Sequence, residues 1–231
     1  MKNFEEIEGV GMNTQELKIE VKTHTFNSFG YMMFKVPERV LRGIQKEVNK
    51  IEKDFSKAVP YNKKLAGNLR YEFGIDALPS EFESFILWAV QLYDGYFKYG
   101  ETISVLKDNH PYHVDRPWVN FMKKYEFNPP HHHKGVFSYV IWLDVPYNIE
   151  DEIASESSIN SNFNCPGHFI LQYTDSLGRI MNESLPVDKK MNGVMCVFPA
   201  PMIHYVTPFY TSDEYRISVA GNVCLDEYKN V

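Results

Sequence analysis

The chain has 231 residues, a net charge of −6, and 15 Tyr, 16 Phe and 3 Trp, enough to bury one sizeable core and rich in residues that favour strands and large pockets. The negative balance argues against broad binding to a nucleic-acid backbone, which needs a basic surface. Cys165, Cys196 and Cys224 lack C-x-x-C spacing and predict reduced thiols in a cytoplasmic protein. The acidic start predicts no signal peptide, and no apolar run approaches the ~20 residues that cross a bilayer.

Residues 1–25 read as a polar extension, frayed or extended over its first part, ahead of a single domain spanning 26–231. His24 to Val36 alternates well enough for an edge strand. From Pro37, the apolar positions Val40, Leu41, Ile44, Val48, Ile51 and Phe55 recur at three and four residues, which predicts an amphipathic helix. Pro60 closes it and a loop over 61–68 follows. A second helix is expected from Ser80, with Ser80 and Glu83 as a capping box and Gly100 as its stop. Its aromatic stripe, Phe82, Phe85, Tyr93 and Phe97, reads as core rather than cofactor pocket.

From Trp118 the helical period disappears. Short apolar runs at 117–126, 136–145, 167–174, 178–184, 194–199, 204–208 and 215–223 predict strands. Asp175–Gly178 and Lys190–Gly193 are expected as hairpin turns. The polar gap from Tyr147 to Pro166 reads as a lid or as a disordered surface loop. Two helices followed by many short strands predict an α+β layout, a β-sandwich or barrel backed by helices.

The chemistry concentrates in Asn128-Pro-Pro-His131-His132-His133-Lys134-Gly135. On an extended chain, residues two apart share a side, so His131 and His133 can reach one metal ion while His132 turns away. A paired His-x-His also occurs on exposed strands, and His204, placed after the Pro199-Ala-Pro201 turn, tips the balance toward a metal site. Arg216 follows in an apolar strand. A guanidinium there must meet an anion, either a protein carboxylate or a ligand's carboxylate or phosphate, and Ser218 shares its face. Tyr139 lies on the same face as the paired histidines and is a candidate to line the pocket, with Tyr173 a weaker one, although both read first as packed core tyrosines. His24, His110, His113 and His168 have no ligand spacing.

The runs Trp118 to Leu143, Val197 to Tyr210 and Arg216 to Asn222, with Lys63-Lys-Leu-Ala-Gly-Asn68 upstream, resemble 2-oxoglutarate/Fe(II)-dependent oxygenases of tailed phages and marine microbes. The likeness extends from about residue 35 to 223. It implies a double-stranded β-helix (jelly-roll) core backed by N-terminal helices, with Fe(II) and 2-oxoglutarate as cofactors. By position, His131 and His204 become iron ligands, and Arg216 with Ser218 and Tyr139 serves 2-oxoglutarate. His133, as third ligand, stands where the wider superfamily has Asp or Glu. The implied reaction consumes O2, hydroxylates a small-molecule or peptidyl substrate, and yields succinate and CO2. A phage enzyme of this kind would work in the host cytoplasm. Two rivals remain at this stage. One is a cupin-type metal protein, whose first motif wants a Glu that is missing after His133. The other is a non-catalytic phage structural or interaction protein that keeps the fold.

Overall fold

A computed structural model of the chain describes residues 5–10, 16–21, 28–103 and 111–225, the first two segments as backbone strands. Strands β1 (Glu5–Val10) and β2 (Glu16–Val21) pair antiparallel with each other, so this part of the polar extension is a ribbon and not frayed chain. His24 and His110 lie outside the described residues, as does the start of the first expected edge strand. Next come β3 (Met32–Lys35), α1 (Glu38–Lys53), β4 (Val59–Pro60), β5 (Tyr71–Gly74), α2 (Ser80–Phe97) and β6 (Tyr112–Val114). The second half holds β7 (Trp118–Met122), β8 (Asn128–His131), β9 (Phe137–Asp144), the short α3 (Ile149–Ile153) and β10 (His168–Thr174). It ends with β11 (Ile180–Pro186), β12 (Val194–Pro199), β13 (Ile203–Val206) and β14 (Arg216–Leu225).

An eight-stranded sheet runs β3-β12-β9-β14-β7-β5-β4, with β6 also on β14, and faces a four-stranded sheet ordered β11-β10-β13-β8. The period of two sorts each strand between two cores. On β9, Phe137, Tyr139 and Ile141 join the core shared with the helices, while Val140 and Trp142 join the core between the sheets. On β14, Ile217, Val219 and Val223 face the helices. Arg216, Ser218 and Ala220 therefore face the space between the sheets, where all three line one cavity. This arrangement is the jelly roll backed by helices.

The helices cover the outer face of the large sheet with the stripes their sequences predict. Val40, Ile44 and Val48 are buried on α1, and Phe82, Ile86, Ala89, Val90 and Tyr93 on α2. Each fully buried apolar side chain contributes about 1.5–3 kcal/mol. The helix ends differ from expectation. Pro79, not Ser80, is the N-cap of α2, and no side-chain cap bond forms because the Pro79 carbonyl already receives Phe82 N and Glu83 N. The stop is Lys98, in the left-handed region at φ 56°, ahead of Gly100.

Two loop expectations also change. Asp175–Gly178 does turn a hairpin, closed by Asp175 N to Arg179 O and with Gly178 at φ 78°. Lys190–Gly193 does not, since β11 and β12 belong to different sheets and the segment crosses between them. The 147–166 stretch is neither featureless nor disordered. It carries α3, whose buried Glu152 accepts Tyr210 N at 2.6 Å and Thr211 N at 2.9 Å, and also the Thr211 hydroxyl.

Candidate metal and anion site

Strand pairing, not sequence proximity, assembles the histidines. His131 ends β8 and sits directly opposite His204 on β13, which in turn pairs with Leu171 of β10. His133 lies just past β8 and is tied by its backbone N–H to Ala200 O at 2.9 Å, inside the turn that delivers His204. Ring centroids are 4.3 Å apart for His131–His204 and 4.9 Å for each of the other two pairs. One ligand atom from each residue lies within 4.8 Å of the others. Around a single ion with bonds of about 2.1 Å the donors would stand about 3 Å apart, so a small inward shift suffices. His132 is exposed, as the alternation predicted.

The donor chemistry fits a transition metal. His131 Nδ1–H donates to Pro129 O at 2.7 Å and His204 Nδ1–H to Met202 O at 3.0 Å. Those bonds fix the tautomer and leave each Nε2 lone pair free. Burial, reinforced by the neighbouring imidazoles, depresses all three basicities. His133 falls to about 4, His131 falls too, and His204 falls well below its ordinary value. At neutral pH the site is therefore three uncharged imidazoles. Asp144 and Glu126 are not part of it. Glu126 instead accepts Arg70 N at 2.9 Å and Lys123 N at 2.7 Å.

Arg216 is 3 % exposed and lines the same cavity as the three histidines. Its Nη1 donates only to neutral acceptors, Tyr147 Oη at 3.3 Å and Gly167 O at 3.4 Å, and it forms no ion pair among the described residues. A buried guanidinium in this condition carries a charge that no carboxylate among the described residues offsets. Ser218 is one pleat away on the same face and receives Asn120 Nδ2 at 3.4 Å.

The structure does not bring the Tyr139 hydroxyl to these groups. Residue 139 borders the cavity, yet its ring packs against Phe82 in the helix-side core, and its hydroxyl lies where a Cβ on Gly221 would go. Position 139 sits one residue out of phase with Val140 and Trp142, so its side chain takes the opposite face of the sheet. Tyr173 is 40 % exposed and lines a surface groove, not the cavity. Several residues of the site escaped the sequence reading: Glu72, Asn120 and Trp118 line the cavity, and Tyr147 contacts Arg216. Glu72 in Tyr-Glu-Phe-Gly and Asn120 in Trp-Val-Asn-Phe-Met did carry a signal, a lone polar residue inside an apolar strand. Tyr147, at the mouth of a polar loop, carried none.

Residues 116–222, which include all three histidines, Arg216 and Ser218, match the family model described as "Putative 2OG-Fe(II) oxygenase". This chain carries a 2OG-Fe(II) oxygenase domain. That places the enzyme among the 2-oxoglutarate-dependent dioxygenases, whose cofactors are Fe(II) and 2-oxoglutarate. The fold of the oxygenase agrees with solved structures. A Pseudomonas putida prolyl-4-hydroxylase aligns at 15 % identity and a TM-score of 0.50, covering 87 % of this chain and 95 % of that one. AviO1 from Streptomyces viridochromogenes Tue57 aligns at 11 % and 0.51, covering 87 % and 91 %. The non-heme alpha-ketoglutarate-dependent epimerase SnoN from nogalamycin biosynthesis aligns at 14 % and 0.50, covering 84 % and 77 %. At such identities the likeness fixes the jelly-roll fold and nothing about substrate. No curated protein matches the sequence. Among the described residues no helix is long and apolar enough to cross a membrane.

Proposed function

We propose that this oxygenase is a hydroxylase in which His131, His133 and His204 hold Fe(II), and Arg216 with Ser218 grips the distal carboxylate of 2-oxoglutarate. The reading rests above all on Arg216, a buried guanidinium without a carboxylate partner in the same cavity as three convergent, uncharged imidazoles. Bound iron supplies activation of O2 coupled to decarboxylation of 2-oxoglutarate, with one oxygen atom going to succinate and the other to the substrate C–H bond, and with CO2 released.

The protein's own residues bind and orient. The Pro129 and Met202 carbonyls hold two imidazoles in the ligating tautomer. Three neutral ligands leave the metal its full double charge, which the dianion of 2-oxoglutarate offsets. Tyr147 Oη and Gly167 O fix the guanidinium, so its fork is preorganised for a carboxylate. Phe169 and Phe198 pack against His204, at 5.6 and 4.8 Å between ring centroids, and exclude water from the metal side.

Anaerobic titration of Fe(II)-loaded protein with 2-oxoglutarate tests the assignment. A visible metal-to-ligand charge-transfer band is expected. A folded, iron-loaded protein that never develops the band refutes it. Succinate release across amino-acid, peptide, nucleobase and small-metabolite substrates then sorts the substrate class.

A further inference from the structure

The cavity contains a second buried ionisable group, a carboxyl outside the metal and anion site proposed above. Glu72, on β5, pairs across the sheet with Asn120 on β7, which pairs with Ser218 on β14. All three line the cavity and form one row across the sheet. Glu72 is 0 % exposed. Among the described residues its Oε2 receives only Asn62 Nδ2, at 3.3 Å, and its Oε1 has no partner. Asn120 Oδ1, next in the row, also has none. Arg116, just ahead of β7, is engaged by Asp76 at 2.5 Å. The loop Leu65–Gly67 passes directly over the carboxylate, where a Cβ on Gly67 would stand 2.5 Å from Oε1. Burial, with Glu126 acting in the same direction, raises the Glu72 carboxyl to about 7.

A buried carboxylate two strands from Arg216, about 10 Å across the sheet, repels dicarboxylic 2-oxoglutarate and cannot be its counter-group. It is available to the other molecule that enters the cavity. Beside it on β7, Trp118 lines the same cavity, its ring 5.4 Å from that of His133 and stacked at 6.1 Å on Tyr61. A carboxylate, a free amide oxygen and an indole face together select a cation bearing N–H donors.

We propose that Glu72, supported by Asn120 and Trp118, is the specificity determinant that seats an ammonium or guanidinium group of the substrate. The cavity is then bipolar, with Arg216 and Ser218 taking the co-substrate anion on β14 and Glu72 taking the substrate cation on β5. This inference rests on the metal and 2-oxoglutarate assignment above.

The test uses the anaerobic Fe(II)–2-oxoglutarate form of the full chain with three small probes. These are n-butylammonium, n-butylguanidinium and the neutral n-butylurea, each titrated while the charge-transfer band and the equilibrium affinity are followed. At least one cationic probe should bind ten-fold or more tightly than the urea and perturb the band. Glu72→Gln should reduce that preference to within two-fold, with 2-oxoglutarate affinity retained. Gly67→Ala, which drives a Cβ onto Oε1, should weaken it as well and replaces Glu72→Gln should that variant not fold. Equal binding of charged and neutral probes, or a preference that survives both substitutions, overturns the proposal. A wild-type protein without the band overturns the underlying assignment instead, so the two failures are distinguishable.

Discussion

Replacing Arg216 by Met separates a functional guanidinium from a structural one. Arg216 is buried and, among the described residues, makes only two long bonds to neutral oxygens, at 3.3 and 3.4 Å. Tyr147 Oη donates to Gly167 O at 3.3 Å, so these two groups keep each other when the guanidinium is removed. Exchanging an unpaired buried charge for an apolar side chain of similar length should therefore leave the apo fold as stable or more stable. With 2-oxoglutarate bound, the same substitution removes one partner of a buried charge pair, worth about 2–5 kcal/mol. At about 1.4 kcal/mol per factor of ten, that is roughly a 30- to 4,000-fold loss of affinity. Thermal melting of the metal-free protein and anaerobic titration of the charge-transfer band measure the two effects on one sample. A variant that melts well below wild type yet binds 2-oxoglutarate normally would show that Arg216 is structural and that the anion site lies elsewhere.

The other expectations concern the metal ligands, Glu152 of α3 and the helix layer. His131→Ala, His133→Ala and His204→Ala should each weaken Fe(II) binding at least ten-fold, whereas exposed His132→Ala should leave it unchanged in equilibrium dialysis. Because burial depresses the three imidazoles below their unfolded value of 6.5, the unfolded state binds more protons as pH falls below that value. Stability contributed by the neutral cluster is thus complete above about 6.5 and declines toward pH 4, where His133 titrates; a flat apo melting temperature from pH 7 to 5 would contradict this. Glu152→Ala strips Tyr210 N and Thr211 N of their acceptor and should cost about 2–4 kcal/mol, read as a lower denaturant midpoint. Ile44→Ala should cost about 2–5 kcal/mol through a cavity under α1, with iron binding preserved in the folded fraction because Ile44 belongs to the helix-side core.

Local pattern carried much of the molecule. The spacing of Val40, Ile44 and Val48 gave α1, since a stripe of apolar side chains can be buried on only one face of a helix. The apolar runs from 117 onward gave β7, β9 and β10 to β14 for the same reason at period two. The weaker signals failed where backbone chemistry competed. Pro79 pre-empted the cap expected of Ser80, and a glycine turn at 190–193 served a crossing between sheets as readily as a hairpin. Strand β8 was missed because Asn-Pro-Pro-His has no strand-like side chains, although it carries the first ligand.

The histidine triplet that marks this chain shows the division most clearly. Alternation alone determined that His131 and His133 face one way and His132 the other, and it made Arg216 a buried charge in need of an anion. Sequence could not decide which distant residues stand opposite. The β8–β13 pairing sets His131 against His204, and the β5–β7–β14 register lines up Glu72, Asn120 and Ser218. The same ambiguity governs Tyr139, which borders the cavity while its ring packs on the helix side of β9. Period two tells which residues share a face, but which face meets the cavity is fixed only when non-local strands pair and both sides of the sheet are covered.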